Sequence, residues 1–357
     1  MKIITIVGAR PQFVKAAALS RELKKYNDVE EIIIHTGQHF DDNMSDVFFR
    51  EMDIPKPKYN LDINSVGHGA MTGRMLEGIE EILMKEKPDL LLVYGDTNST
   101  IAGALAAKKI HIKVAHVEAG LRSFNMNMPE EVNRILTDRI SDYLFCPTTT
   151  AIKNLAKEGF DDIDCKVINC GDVMQDAANY YALKSEEKST VVQSLKLDDF
   201  ILCTLHRAEN TDDSTKLKII AESLNEINQK TPIVLPLHPR TKGKIEKLGI
   251  KLKVKTIDPV GYFDMIELLK KCSLVMTDSG GLQKEAFFFK KNCVTLRDQT
   301  EWVELIESNV NILAKIDKTV IINSVKSMQY KKSDFTVNLY GNGEACKNIV
   351  NELLQIK

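Results

Sequence analysis

A chain of 357 residues, 43% hydrophobic and 27% charged, suffices for two cores of ordinary size, and that composition excludes a disordered protein. Lys and Arg total 48 against 50 Asp and Glu, so a formal net charge of −2 gives no general attraction to nucleic acid or to an anionic membrane, and any anionic ligand must be met by local groups. No apolar run approaches the roughly 20 residues that a membrane-crossing helix needs.

Along the chain, short apolar runs alternate with amphipathic stretches, the pattern of βαβ units and a parallel sheet. The opening run Ile3-Ile4-Thr5-Ile6-Val7 reads as a first β-strand, since a signal peptide needs a longer apolar segment and a small-residue cleavage site. Further strands are expected at residues 31–35, 90–94, 114–117, 143–145 and 166–168, with helices at 13–25, 72–85, 100–109 and 149–158. The 90–94 run is apolar on both pleat faces, as a strand covered on both sides must be. Residues 184–199 are polar and read as a surface helix or linker with little core of its own. A second series follows, with strands at 200–205, 233–237, 254–257, 274–277, 292–295 and 310–313, and helices at 214–229, 262–271, 282–290, 302–307 and 319–328. The α/β chain therefore divides into two similar halves joined between residues 170 and 200. A turn at Tyr340-Gly341-Asn342-Gly343 then leads into a terminal helix, and periodicity does not say on which half that helix packs.

Seven cysteines, with no C-x-x-C spacing, indicate neither a disulfide framework nor a zinc knuckle, and a reducing cytoplasmic setting is expected. The first strand is followed by no G-x-G-x-x-G, and the chain holds no G-x-x-x-x-G-K-[ST], which excludes dinucleotide and P-loop sites. No His or Cys spacing matches a metal centre.

In parallel α/β sheets ligands bind beyond the carboxyl ends of the strands. There this chain places Gly8-Ala9-Arg10-Pro11 with Lys15, then Gly95-Asp96-Thr97-Asn98, then Glu118-Ala119-Gly120-Leu121-Arg122 and Pro129-Glu130-Glu131. The second half adds His206-Arg207-Ala208-Glu209-Asn210, His238-Pro239-Arg240, and Asp278-Ser279-Gly280-Gly281 with Glu285. Asp96 alone would serve equally as a helix cap or Asx turn, and the Asp278–Gly281 run as a plain tight turn. Glycines at a helix start also let backbone N–H groups approach an anion. His35, His68 and His111 carry no visible constellation, and His116, inside a strand, reads as a satisfied core residue. Together these strand ends point to a metal-independent site, with no cofactor, for a phosphorylated ligand lined by carboxylates.

In those segments the chain resembles the non-hydrolysing UDP-N-acetylglucosamine 2-epimerase family. The match runs through Gly8–Lys15, Thr36-Gly37-Gln38-His39, Gly95–Thr100, His116–Arg122, Pro129–Arg134, Leu205–Asn210, Thr277–Gln283 and Arg297–Glu301, in family order. The resemblance implies the glycosyltransferase-B fold, two Rossmann-like parallel-sheet domains facing a cleft, and a homodimer. The expected domains are 1–170 with a returning helix at 343–357, and 171–342. It also implies that Asp96, Glu118, Glu130, His206 and Lys15 are catalytic, and that Arg10, Ser279, Gly280, Gly281, Glu285, Arg207 and Asn210 bind the UDP-sugar. Ala9-Arg10-Pro11-Gln12, Ala208 and Trp302 depart from common family versions, the last two at positions where many relatives carry arginine. Such variants resemble the branch acting on UDP-2,3-diacetamido-2,3-dideoxy-D-glucuronate, which supplies mannuronate sugars for surface polysaccharides such as lipopolysaccharide O-antigen. UDP-N-acetylglucosamine is the alternative substrate. A C6 carboxylate would need a cation, for which Arg122, Arg207 and Arg240 are candidates.

The implied chemistry breaks the anomeric C–O bond, expels UDP and removes the C2 proton, leaving a 2-acetamidoglucal to which UDP adds back after protonation on the opposite face. Departing diphosphate calls for Arg10, His206 and the N–H groups of 279–281. Proton transfer at C2 calls for Asp96, Glu118 and Glu130, with Lys15 holding one carboxylate ionised or touching the sugar. Rival readings are a hydrolysing epimerase, in which water traps the glucal, and a glycosyltransferase or non-catalytic sugar-nucleotide binder on the same fold.

Overall fold

The computed structural model describes residues 1–38, 55–196 and 198–356, the side chain of Arg10 excepted. His39, part of one family-like segment, lies outside the described residues. The chain forms two compact units, 1–177 with 338–357, and 178–337.

In the first unit seven parallel strands lie in the order β3-β2-β1-β4-β5-β6-β7. They are β1 Lys2–Val7, β2 Glu30–His35, β3 Tyr59–Asn60, β4 Leu90–Tyr94, β5 Lys113–Val117, β6 Tyr143–Cys146 and β7 Lys166–Asn169. All five residues of β4 are fully buried, as its unbroken apolar sequence requires of a central strand. Ile4, Ile6, Ile32, Ile34, Leu91 and Val93 meet Met75, Ile79 and Leu83 of helix His68–Glu86 and the alanines of helix Asn98–Lys109 in one core. The terminal helix Ala345–Leu353 packs on helix Arg10–Leu23. Its orphan N–H groups at Ala345 and Cys346 donate to the Asp176 carboxylate at 3.2 and 2.8 Å, which fastens the helix start.

The second unit holds six parallel strands in the order β10-β9-β8-β11-β12-β13. They span Ile201–Thr204 (β8), Ile233–Pro236 (β9), Lys255–Ile257 (β10), Leu274–Thr277 (β11), Cys293–Thr295 (β12) and Asn311–Leu313 (β13). One face packs Leu217, Ile220 and Leu224 with Ile321 and Val325, while the other packs Leu268, Leu269 and Ala286.

Three differences from the sequence reading have physical causes. Residues 184–199 do contribute core: Leu195 is buried beside Phe200, Leu268 and Leu269, with Val191 and Val192 against them. Apolar residues at i, i+1 and i+4 make that short face, and the polar run before it is pinned where Ser185 and Ser189 donate to Glu267 and Asp264, each at 2.6 Å. Helices Pro129–Ile140 and Pro239–Lys247 were not among the expected elements; each opens on a proline, at a position where no N–H is needed. Helix Val173–Lys188 and the two-residue strand β3 were likewise unexpected; the first has no amphipathic stripe, and the second is too short to show an alternation. No described helix is long and apolar enough to cross a membrane.

Candidate functional site

In the first unit the strand ends of β1 and β4 are drawn together by one buried amide. Gln12 Oε1 accepts from Gly8 N at 2.8 Å and Ala9 N at 3.0 Å, while its Nε2 donates to Tyr94 O at 2.9 Å. A side chain at Gly8 would collide with the hydroxyls of Ser99 and Thr36, so only glycine allows this approach. Thr97, not Asp96, caps helix Asn98–Lys109, its hydroxyl accepting from Thr100 N, so Asp96 is released from the capping role it could have filled.

Asp96 instead pairs with Arg134 of helix Pro129–Ile140. Burial alone would raise its carboxyl, but Arg134, then Lys15 and His116, hold it below the ordinary 3.8. Lys15, buried in helix Arg10–Leu23, pairs with Glu118. Glu118 follows β5 with φ +72°, a left-handed conformation unusual for a residue with a side chain, so the fold imposes a strained turn where this carboxylate is presented. The two pairs are neighbours: a side chain at Gly95, itself at φ +61°, would lie 3.4 Å from Lys15 Nζ and 3.6 Å from Glu118 Oε2.

Glu130 is exposed in the first turn of helix Pro129–Ile140, whereas its neighbour Glu131 is fully buried. Glu131 accepts from Ser123 N, Ser123 Oγ and Phe124 N and from Arg134 Nη1, all within 3.0 Å, and thereby fixes the loop that leads to Glu130. His116 has both ring nitrogens paired, as a core residue should. Arg122 is buried and committed to Asp138 and, through two parallel bonds of 2.7 Å, to Glu158. That commitment removes it from the candidates for a sugar carboxylate. Arg240 is half exposed and paired with Asp212 at 2.6 Å.

In the second unit the buried carboxylate of Asp278, at the end of β11, gathers the loop after β8. It accepts from His206 N and Arg207 N at 3.1 and 3.0 Å and from Asn210 Nδ2 at 3.3 Å. His206 itself stays half exposed, its Nδ1 3.5 Å from Asp278. Asn210 is buried and also donates to Leu296 O at 3.0 Å. Ser279 caps helix Gly280–Phe288, and Gly280 stands where a side chain would run into the Glu301 carboxylate and lie 3.7 Å from Arg207 Nη2. Nothing lies within 4 Å of the corresponding position at Gly281, so the helix start is open on that side. Glu285 is buried one turn further along. The buried Arg297 joins Glu301 at 3.0 Å and Glu209 at 3.4 Å, tying the loops that carry His206 and Glu301. Trp302 is buried with the ammonium of Lys284 4.0 Å from its ring centroid, so the aromatic face meets a buried cation.

Each unit thus assembles its own cluster: carboxylates paired with cations in the first, and a glycine-rich helix start with organised N–H donors in the second. Sequence reasoning missed Gln12, Arg134, Asp138, Arg297 and Glu301 as organisers. Arg134 stood inside a quoted motif one helical turn from Glu130, a signal that needed the helix to be recognised. Among the described residues no group of three or more His, Cys, Asp or Glu is placed to hold a metal ion.

The family model described as UDP-N-acetylglucosamine 2-epimerase matches residues 21–354. Over its full length the chain is 56% identical to the UDP-2,3-diacetamido-2,3-dideoxy-D-glucuronate 2-epimerase of Pseudomonas aeruginosa, covering 100% of both chains. It is similar to the crystal structure of Methanocaldococcus jannaschii UDP-GlcNAc 2-epimerase in complex with UDP-GlcNAc and UDP, with a TM-score of 0.92, 44% identity and 99% of each chain covered. It is also similar to the Neisseria meningitidis UDP-GlcNAc 2-epimerase bound to UDP-GlcNAc, with a TM-score of 0.89, 32% identity, and 99% of this chain and 100% of that one covered.

Proposed function

The chain belongs to the UDP-N-acetylglucosamine 2-epimerase family, and from that premise we propose that it inverts C2 of a UDP-activated 2-acetamido sugar, with UDP-2,3-diacetamido-2,3-dideoxy-D-glucuronate as substrate. The observation that carries the reaction class is the pair of partly buried ion pairs, Lys15 with Glu118 and Asp96 with Arg134, around Gly95. The choice of sugar rests on the 56% identity to the Pseudomonas enzyme across the whole of both chains.

In this reading the C1–O bond breaks and UDP leaves with the bonding electrons, stabilised by Arg10, His206 and the N–H groups of Gly280 and Gly281, since the Ser279 N–H is taken by Thr277 Oγ1 at 2.9 Å. One carboxylate among Asp96, Glu118 and Glu130 takes the C2 proton, and the electrons of that C–H bond form the C1–C2 double bond of the glucal. A carboxylate on the other face returns a proton to C2, and the UDP oxygen re-forms the bond to C1. No electron is gained or lost, so the balance closes without a redox partner. Lys15 supports the scheme by keeping Glu118 as a charged base, and Arg134 does the same for Asp96. Glu285 suits a ribose contact and Asn210 holds the His206 loop. Of the three cations considered for a C6 carboxylate, Arg207 is the one whose surroundings leave that role open.

The test is kcat/KM on UDP-2,3-diacetamido-glucuronate beside UDP-N-acetylglucosamine. A preference for the diacetamido sugar by tenfold or more supports the assignment (about 1.4 kcal/mol of transition-state discrimination); the reverse preference overturns the sugar and leaves the reaction class. The homodimer and a cytoplasmic setting belong to the same proposal, the first checked by sedimentation equilibrium. The product would feed the assembly of a surface polysaccharide.

A further inference from the structure

We propose that His116 is a positioning residue that, together with Asp138, sets the turns carrying both Asp96 and Glu118. The inference rests on reading those two carboxylates as the acid–base groups. It starts from the hydrogen bonds of a side chain with no exposure at all. Nε2 lies 2.7 Å from Gly95 O and Nδ1 lies 2.7 Å from Asp138 Oδ1. A carbonyl oxygen only accepts, so Nε2 carries a hydrogen. The other oxygen of Asp138 already accepts from Arg122 Nη1 at 2.7 Å and Gly120 N at 3.1 Å. One carboxylate thus joins the His116 ring, the Arg122 guanidinium and the backbone of the turn after β5.

The placement has two consequences. Gly95 sits at φ +61° with its N–H bonded to Val117 O at 3.0 Å, and His116 secures its carbonyl, so the peptide that leads into Asp96 is held on both sides. Asp138, through Gly120 N, closes the turn on which Glu118 adopts φ +72°. One hydrogen-bonded pair therefore braces the ends of β4 and β5 from beneath. The charged groups around His116 are Asp138 on helix Pro129–Ile140, Arg122 after β5 with its partner Glu158, and Asp96 after β4, itself beside Arg134 and Lys15. The neighbouring thiol of Cys146 on β6 is pushed well up by burial and stays neutral. The geometry resembles the carboxylate–histidine half of a hydrolase triad, except that the second nitrogen holds a carbonyl and reaches no nucleophile, so the pair positions and does not react.

Two measurements test this. Backbone amide hydrogen exchange on the full-length protein is expected to be at least about tenfold faster at Gly95 and Gly120 in His116→Gln than in the wild type. Exchange that stays the same at both amides overturns the proposal, whatever the activity. In kinetics, His116→Gln and Asp138→Asn are expected to lower kcat by about 10- to 100-fold with KM within about threefold, the scale of misplaced reacting groups. A normal kcat in both variants also refutes it. If the wild-type chain turns over no UDP-sugar, the functional reading fails while hydrogen exchange still decides whether His116 holds the two turns.

Discussion

The two units use the same architecture to solve opposite electrostatic problems. Both are parallel sheets whose carboxyl ends carry the polar loops. In the first unit those loops are tied by full charges: Asp96 and Glu131 on Arg134, Glu118 on Lys15 and Asp138 on Arg122. In the second, a single buried carboxylate, Asp278, gathers backbone N–H groups, and a glycine-rich helix start capped by Ser279 is open at Gly281. Proton transfer needs carboxylates of defined charge, which nearby cations help to set. Holding a leaving diphosphate needs oriented N–H donors, which a helix start supplies without side chains. The contrast predicts that substitutions in the first unit act on turnover and those in the second on nucleotide affinity.

The largest effect should come from Asp96→Asn, Glu118→Gln and Glu130→Gln, each lowering kcat by at least about a hundredfold while the affinity for UDP is kept. Steady-state rates with calorimetric UDP titration decide this, and near-normal turnover in all three removes the catalytic assignment. Next is Gly280→Ala, whose new methyl runs into the Glu301 carboxylate. UDP affinity should fall about tenfold or more; a variant that binds UDP normally but turns over slowly would blur the division between the units.

A smaller effect sharpens the electrostatic side. Burial raises the Asp96 carboxyl and Arg134 lowers it, with the net below the ordinary value. A depressed carboxylate is ionised above its folded value and loses its charge only as pH falls through that value. Arg134→Gln lifts the value, so the acid limb of kcat/KM should shift up by about one pH unit. A limb that stays put means Asp96 is not the titrating base. Smallest is Ser279→Ala, which removes the cap of helix Gly280–Phe288 and should cost about 1 kcal/mol in a denaturation curve, with kcat nearly unchanged.

Much of this was legible in the chain itself. The apolar runs of β1, β4 and β11 have no stable alternative to burial in a sheet, and the residues just after them had to lie on its carboxyl edge. The organisers were not legible, for a physical reason. His116 and Asp138 stand 22 residues apart and meet only because helix Pro129–Ile140 returns across the sheet. Nothing in the local pattern marks that encounter. Arg122 misled for the same reason: its position after β5 resembles that of a ligand contact, but the fold spends it on Asp138 and Glu158. Trp302 was visible only as a missing arginine, and that a buried lysine lies against its ring could be learned only from the packing of helix Gly280–Phe288.

The most direct test of the central claim is solvent exchange at C2. Incubated with UDP-2,3-diacetamido-2,3-dideoxy-D-glucuronate in deuterated water, the protein should place deuterium at C2 of both nucleotide epimers, with no accumulation of free sugar. Free sugar and UDP in place of an epimerised nucleotide, or an epimer that retains its C2 hydrogen, would contradict elimination and re-addition of UDP.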